Sequence, residues 1–324
     1  MQETLQLNST GLVKQVCVLG GSGFVGSAIV TKLDAAGYAV KVLTRRRDSA
    51  KHLILLPNVV VEECNVLDYQ ALNSALRGVD AVINLLGILH QSRRLTFNAV
   101  HHQFPAQLAK ICVDLNISRL IHMSSLRAGE NAPSQYLRSK GAGEAALHEF
   151  KNQLHITIFK PSVIFGRGDS FVNLFASLIK TLPVVLLAKP NAKFQPIWVE
   201  DVASCVVASM ANRACYGQTY ELVGPKVYSF RELIKVVMRC LQIERPIIGL
   251  NDTLSYLQAF MMEFLPVKLM SRDNVRSMEV DSVSQQTLTI FNVTPSAVET
   301  IIPQYLLDQT PRGAYDRFRR TAAR

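Results

Sequence analysis

VCVLGGSGFVG, residues 16–26, passes from four apolar residues into glycines at 20, 21, 23 and 26. The apolar run predicts a buried strand, and Ser27-Ala-Ile-Val-Thr-Lys-Leu33 predicts the helix that follows it. A strand that stops in a Gly-rich turn and opens a helix is a dinucleotide-phosphate site. The turn lets the backbone approach a pyrophosphate, and the helix start offers unpaired N–H groups and a partial positive charge. Gly20, Gly23 and Gly26 fit G-x-x-G-x-x-G, and Gly21, Gly23 and Gly26 also satisfy G-x-G-x-x-G. Gly20, Gly21, Ser22, Gly23, Phe24, Val25 and Gly26 are therefore the candidate pyrophosphate residues. A purely structural glycine turn is the competing reading, and the flanking strand and helix argue against it.

Outward from this turn, apolar runs at 39–43, 59–63, 80–86, 119–123 and 155–159 read as strands separated by helical stretches. That rhythm means βαβ units. The expected fold is α/β, a Rossmann-type doubly wound parallel sheet with a smaller C-terminal substrate or lid region. Residues 1–13 read as a polar leader. Residues 14–245 read as the nucleotide-binding domain, with parts of the substrate region from 161. Residues 246–324 read as a helical region with a basic tail. Ligands in such sheets lie beyond the strand C-terminal ends, so Gly20, Arg45, Asn65, Leu85 and Ser124 should border one crevice. Phe97, Val100, Phe104, Leu108, Ile111 and Leu115 make an amphipathic helix that Pro105 should disturb. Further on, 171–180 and 201–210 read as helices, 194–199 and 219–223 as strands, and Ser229-Phe-Arg-Glu232 as a capping box. In residues 252–270, Leu254, Leu257, Met261 and Phe264 share one helical face, with Pro266 ending the helix. That face either packs on the core or a dimer partner, or forms a lid over a hydrophobic substrate or a surface that touches lipid.

The 324 residues are 48% hydrophobic and 19% charged, the balance of an ordinary folded protein. No apolar run is long enough to span a bilayer, and the N-terminal stretch is not read as a secretory signal. The six scattered cysteines read as free thiols in a reducing compartment. The net charge of +10 suits an anionic partner. No basic block with interleaved aromatics suggests nucleic acid. Arg45-Arg46-Arg47 forms one basic cluster, and Arg317, Arg319, Arg320 and Arg324 form another, a solvated tail or a lipid contact. His101-His102 point different ways on a helix, Asp201 reads as a helix start, and no metal site is expected.

Tyr136-Leu-Arg-Ser-Lys140 is Y-x-x-x-K, which places phenol and ammonium on one helical face. The ammonium would lower the phenol pKa and hold ribose hydroxyls, leaving Tyr136 as general acid or base. Ser124 and Ser125, at the end of the fifth strand, could bond the substrate oxygen or serve only in the turn. With the glycine turn, this set resembles the short-chain dehydrogenase/reductase superfamily of the extended or atypical, epimerase/dehydratase-like kind. Five stretches narrow the resemblance: YLRSKGAGE (136–144), KPSVIFGRGD (160–169), FVNLFAS (171–177), QPIWVEDV (195–202) and YELVGP (220–225). They are similar to the branch of the nucleotide-binding accessory subunit of mitochondrial complex I and its free-standing bacterial relatives. The resemblance covers about residues 14–245. It implies a nicotinamide nucleotide with its pyrophosphate at Gly20–Val25. Asn65 and Val66 would flank adenine, Leu85, Leu86 and Gly87 would line ribose, and Pro161, Val163 and Ile164 would border nicotinamide. Lys160 stands where members often carry Arg.

NAD sites usually place an acid after the second strand to bond the ribose 2′-hydroxyl. Here Thr44-Arg45-Arg46-Arg47 follows, and Arg suits a 2′-phosphate, so NADP(H) is preferred over NAD(H) unless the loop is merely solvated. Two functions stay open. One is an NADP(H)-dependent oxidoreductase or epimerase/dehydratase acting on a carbonyl or alcohol of a small molecule, with a hydrophobic body if residues 252–270 form its lid. The other, which the resemblance implies, is a non-catalytic, structural or redox-sensing accessory subunit. The expected location is cytoplasmic, at most peripheral to the inner face of the membrane through the C-terminal region. A respiratory-chain contact would use the same region, and the oligomeric state stays open.

Overall fold

The computed structural model describes residues 13–92, 95–264 and 270–307. Within them the chain forms two units. The first takes in the chain up to Pro161, then Val202–Leu222 and Gln286–Val293; the second takes Ser162–Asp201, Val223–Gln285 and the chain from Thr294.

The first unit is built on seven strands: Gln15–Leu19 (β1), Ala39–Thr44 (β2), Val59–Glu63 (β3), Ala81–Asn84 (β4), Arg119–Met123 (β5), His155–Pro161 (β6) and Thr219–Leu222 (β7). Their order across the sheet is β7-β6-β5-β4-β1-β2-β3, and every pairing is parallel. Val16 to Leu19 are fully buried, as a strand covered on both faces requires. Leu19 pairs with Leu43 on one side and Asn84 on the other. The chain runs outward from β1 to β3 and returns to β4 beside β1. The glycine turn therefore lies where the strand order reverses, the place such sheets bind ligands.

Phe24–Ala35 (α1), Tyr69–Ala75 (α2), Phe104–Asp114 (α3) and Gln135–His148 (α4) are the principal helices of this unit. Leu72, Leu76, Phe104, Leu108, Ile111 and Cys112 form one buried cluster with Cys17, Leu19, Val82 and Leu120 of the sheet. Just past α1, Gly37 sits at φ +82°, the left-handed conformation that glycine supplies where a helix stops. Strand β4 stops two residues short of the 80–86 run, because the Asn84 carboxamide accepts the Leu86 N–H at 3.1 Å and bends the chain away. The disturbance expected at Pro105 is a π turn, Asn98–Gln103, just ahead of α3. Pro105 has no N–H for the carbonyl of His101 four residues back. Gly143 of α4 packs onto that carbonyl so closely that an added Cβ would lie 1.9 Å from it.

The second unit gathers Val172–Thr181 (α5), Phe230–Leu241 (α7) and Val298–Leu306 (α10) around a shared apolar core. Val199–Ala211 (α6) starts in this unit, but from Val202 onward it belongs to the first. Phe171, Phe175, Phe194 and Phe230 meet ring to ring within that core. The buried Asp169 carboxylate accepts the Phe171 N–H at 2.8 Å and that of Val172 at 2.5 Å, which caps α5. The capping box at Ser229 and Glu232 starts α7 as expected. The strand expected over 194–199 is broken instead. Lys193–Phe194 pairs with Tyr228–Ser229, Ile197–Trp198 pairs with Ile164–Phe165, and Pro196 between them has no N–H to give.

Asp252–Met262 (α8) turns its small residues, Ser255 and Ala259, inward. Leu254, Leu257, Met261 and Phe264 are 47%, 53%, 63% and 73% exposed. Packing of that face on this chain's own core is thus overturned among the described residues. The short helix Arg272–Ser277 (α9) lies beside it, with Arg272 over the Phe260 ring at 4.9 Å. Pro266, most of the polar leader and the basic tail lie outside the described residues.

Candidate functional site

The glycine turn is shaped by close backbone approach. Gly20 holds φ +81°, which a side chain would strain, and its carbonyl accepts the Gly23 N–H at 3.1 Å. A Cβ on Gly26 would fall 2.2 Å from the Gly20 carbonyl oxygen, so α1 rests directly on the turn. Gly23 begins α1 with no side-chain cap, and no acid occupies the first turn. The donors and positive end of α1 are left facing outward, a cradle that fits a diphosphate. Gly21 and Gly26 are buried, Gly23 is exposed, and Ser22, Phe24 and Val25 are half-buried around it.

The neighbouring strand ends supply the rest of the same edge. Leu85 donates its N–H to Leu19 at 3.0 Å, and its backbone lies 3.4 Å from where a Gly20 Cβ would stand. Leu86 is half-buried, and Gly87 is exposed, with Lys140 Nζ 3.2 Å from its missing Cβ. Asn65 is exposed, and its side chain accepts the Leu67 N–H at 3.3 Å. Val66 is 7% exposed and belongs to the core, so what it offers a base is backbone. Arg45 and Arg46 are exposed beyond β2 and pair with no carboxylate among the described residues. Ser49 fixes the loop by donating from N and Oγ to the Arg46 carbonyl, at 3.1 and 2.7 Å. Pro161 ends β6, whereas Val163 and Ile164 belong to the second unit, where the Val163 carbonyl accepts the Ile197 N–H at 2.9 Å.

Ser134 caps α4 by accepting the Leu137 N–H at 3.1 Å, and this sets Tyr136 and Lys140 one turn apart. The Tyr136 hydroxyl hydrogen-bonds Ser125. Lys140 is 4% exposed and donates from Nζ to the Met123 carbonyl at 3.0 Å. Burial brings its pKa down to about 8, against the pull of Glu144. The expectation that Lys140 lowers the Tyr136 pKa is corrected here. Burial raises the phenol above its ordinary value, Ser125 opposes it, and the ammonium is drawn down to Met123. Ser124 is turned elsewhere. Its hydroxyl donates to Glu144, whose other oxygen takes Lys160 Nζ at 2.9 Å. So Ser125, Tyr136 and Lys140 come together, and Ser124 joins a separate Ser–Glu–Lys set in which Glu144 and Lys160 are half-buried.

Three residues beside the site escaped the sequence reading: His101, Ser139 and Glu144. Ser139 and Glu144 both stood inside the quoted 136–144 stretch, beside and one turn past Lys140, and that stretch was the cue in the sequence. His101 lay among the apolar positions of a helix, where it read as one of an adjacent pair. In fact His101 is 1% exposed, while His102 bonds Asn98 at 3.0 Å. Among the described residues no three metal-ligating side chains converge.

The sequence model of the NAD dependent epimerase/dehydratase family matches residues 16–222. The mitochondrial NADH dehydrogenase (ubiquinone) 1 alpha subcomplex subunit 9 of Arabidopsis thaliana is 32% identical over 228 residues. That match takes in 68% of this chain and 56% of the relative, so the chain spans little more than half of that protein's length. The ceramide reductase of Caulobacter vibrioides is 30% identical over 193 residues, 60% of each chain. The UDP-N-acetylglucosamine 4-epimerase of Bacillus cereus has the same fold, with a TM-score of 0.67 at 16% identity over 91% of this chain and 96% of its own.

Proposed function

The chain belongs to the NAD dependent epimerase/dehydratase family, and from that membership we propose that it is an NADP(H)-dependent oxidoreductase acting at a carbonyl or alcohol. The observation that carries this is the Tyr136–Ser125 hydrogen bond, one helical turn from Lys140, on the sheet edge that also holds the uncapped glycine turn. When bound, the nicotinamide supplies or accepts the hydride. The chain's residues do the rest. Gly20 to Val25 hold the diphosphate through backbone donors and the α1 dipole. Leu85 to Gly87 and Lys140 line the ribose, and Nζ has donors beyond the one Met123 takes. Tyr136 gives or takes the proton at the substrate oxygen, and Ser125 orients the phenol and shares that oxygen. Arg45 and Arg46 pair with the 2′-phosphate, supported by their exposure and by the lack of an acid at the end of β2. The ceramide reductase relative supports reduction of a molecule with an apolar body.

The test follows absorbance of the reduced coenzyme with NADPH and a panel of hydrophobic ketones and quinones. Turnover that disappears in Tyr136→Phe, with NADPH binding retained, supports the reading. An NADPH dissociation constant untouched by Arg45→Ala with Arg46→Ala removes the coenzyme preference.

The Arabidopsis relative favours a second reading, a nucleotide-holding accessory subunit that contacts respiratory-chain or membrane partners from the cytoplasmic side. Tight NADPH binding with no turnover on that panel, together with co-purification of membrane respiratory proteins, selects this reading over the first.

A further inference from the structure

His101 takes no part in the chemistry above, yet it is among the most enclosed polar side chains beside the site, at 1% exposed. It sits in the π turn ahead of α3. Its Nε2 is 3.0 Å from the Ile88 backbone nitrogen, a group that can only donate, so Nε2 carries no proton. Nδ1 then holds the ring's proton and donates to Ser139 Oγ at 2.8 Å. Ser139 Oγ in turn donates to the Tyr136 carbonyl at 2.7 Å. The ring stacks on Phe97 at 5.4 Å and meets the Tyr136 ring edge-on at 5.5 Å. From the other side, a Cβ on Gly87 would stand 3.7 Å from His101 Nε2 and 3.2 Å from Lys140 Nζ. One imidazole thus reaches both the loop after β4 and the turn of α4 that carries Tyr136.

Only the neutral ring serves this arrangement. A second ring proton would point at the Ile88 N–H and place a cation beside Lys140. Burial and Lys140 bring the His101 pKa down to about 3, so the neutral form holds across the physiological range. The buried His122 of β5, which also senses both Lys140 and His101, is kept neutral for the same reasons.

We propose that His101 is a positioning residue of the nucleotide site: it pins the Gly87–Ile88 backbone to the Tyr136 turn, so that the ribose wall and the proton donor keep one spacing. This rests on reading the site as one for a nicotinamide nucleotide. A residue that merely fills space would be replaced best by Phe, which keeps the ring and its stack on Phe97. A residue that acts through hydrogen bonds is replaced best by Gln, which keeps an acceptor and a donor and loses the ring.

The experiment measures the NADPH dissociation constant of the full chain by coenzyme fluorescence for His101→Phe, His101→Gln and Ser139→Ala. Leaving the Ile88 donor without an acceptor should weaken binding about tenfold in the Phe variant, while the Gln variant stays within about threefold. Ser139→Ala, which deletes one hydroxyl from a half-buried position, should weaken binding about threefold with its melting temperature unchanged. No loss in the Phe variant, or equal losses in Phe and Gln, overturns the proposal. If the Phe variant does not fold, unchanged affinity in Ser139→Ala overturns it. Failure of the unaltered chain to bind either NADPH or NADH overturns the reading of the site, and this inference with it.

Discussion

Lys140 is an ammonium kept where charge is costly, and its titration should be visible in coenzyme binding. An exposed lysine titrates at 10.5, and burial brings this one to about 8. NADPH should therefore bind more weakly as pH rises through about 8, because the folded chain loses the charged donor there. The nucleotide phosphates are already fully ionised at that pH, so the change belongs to the protein. Fluorescence titrations from about pH 7 to 9.5 should show this fall, and Lys140→Met should flatten it. For stability the sign is opposite: the cost of burying the ammonium is fully present below about 8 and is relieved towards 10.5. Lys140→Met should then resist urea at neutral pH at least as well as the unaltered chain. The Tyr136–Lys140 pair was legible because a four-residue spacing on a helix has one geometry. Ser124 and Ser125 were not separable, because the choice depends on where β5 gives way to its loop. Ser124 still donates its N–H into the sheet, to Phe159 at 2.7 Å, and its side chain falls to Glu144. The role of His101 was hidden for a related reason. A π turn shifts the helical phase, so a position counted at regular spacing faces elsewhere.

At the scale of elements, the first βα unit has the least tolerance. Gly26→Ala would drive a methyl to within 2.2 Å of the Gly20 carbonyl oxygen. Chemical denaturation should show a loss above about 2 kcal/mol, with NADPH binding lost alongside, because the turn and α1 must part. Ser229→Ala removes half of the capping box of α7 and should cost about 1 kcal/mol in urea. It lies in the second unit and should leave NADPH affinity as it was. Both elements could be read from residue order alone, since a glycine turn between strand and helix, and S-x-x-E before an apolar run, each have a single backbone solution. The broken strand around Gln195 and Pro196 could not be read that way. Its two halves pair with Tyr228–Ser229 and Ile164–Phe165, partners that only the folded chain brings to it.

For the whole molecule, each of the two units buries apolar residues of its own, and α8 shows what local patterning leaves undecided. Its large apolar residues recur at helical spacing, as a buried face would, yet Leu257 and Met261 are more than half exposed. Leu257→Glu with Met261→Glu should therefore shift the stability of the isolated chain by no more than about 0.5 kcal/mol, measured by thermal unfolding. A core-facing pair would cost several times that. Composition and alternation announced the sheet but not how the chain returns to it. The strand β7 comes back to the sheet only after Ser162–Asp201 has entered the other unit. On the ribosome, then, the outer rim of β6 has no companion until the codons for Thr219–Leu222 have been read. Throughout that interval a half-made sheet carries an open row of amide and carbonyl groups, a template for pairing with a neighbouring nascent chain. A fragment cut after Pro161, where the nucleotide-binding half looks complete, should inherit that bare rim for good and precipitate on expression.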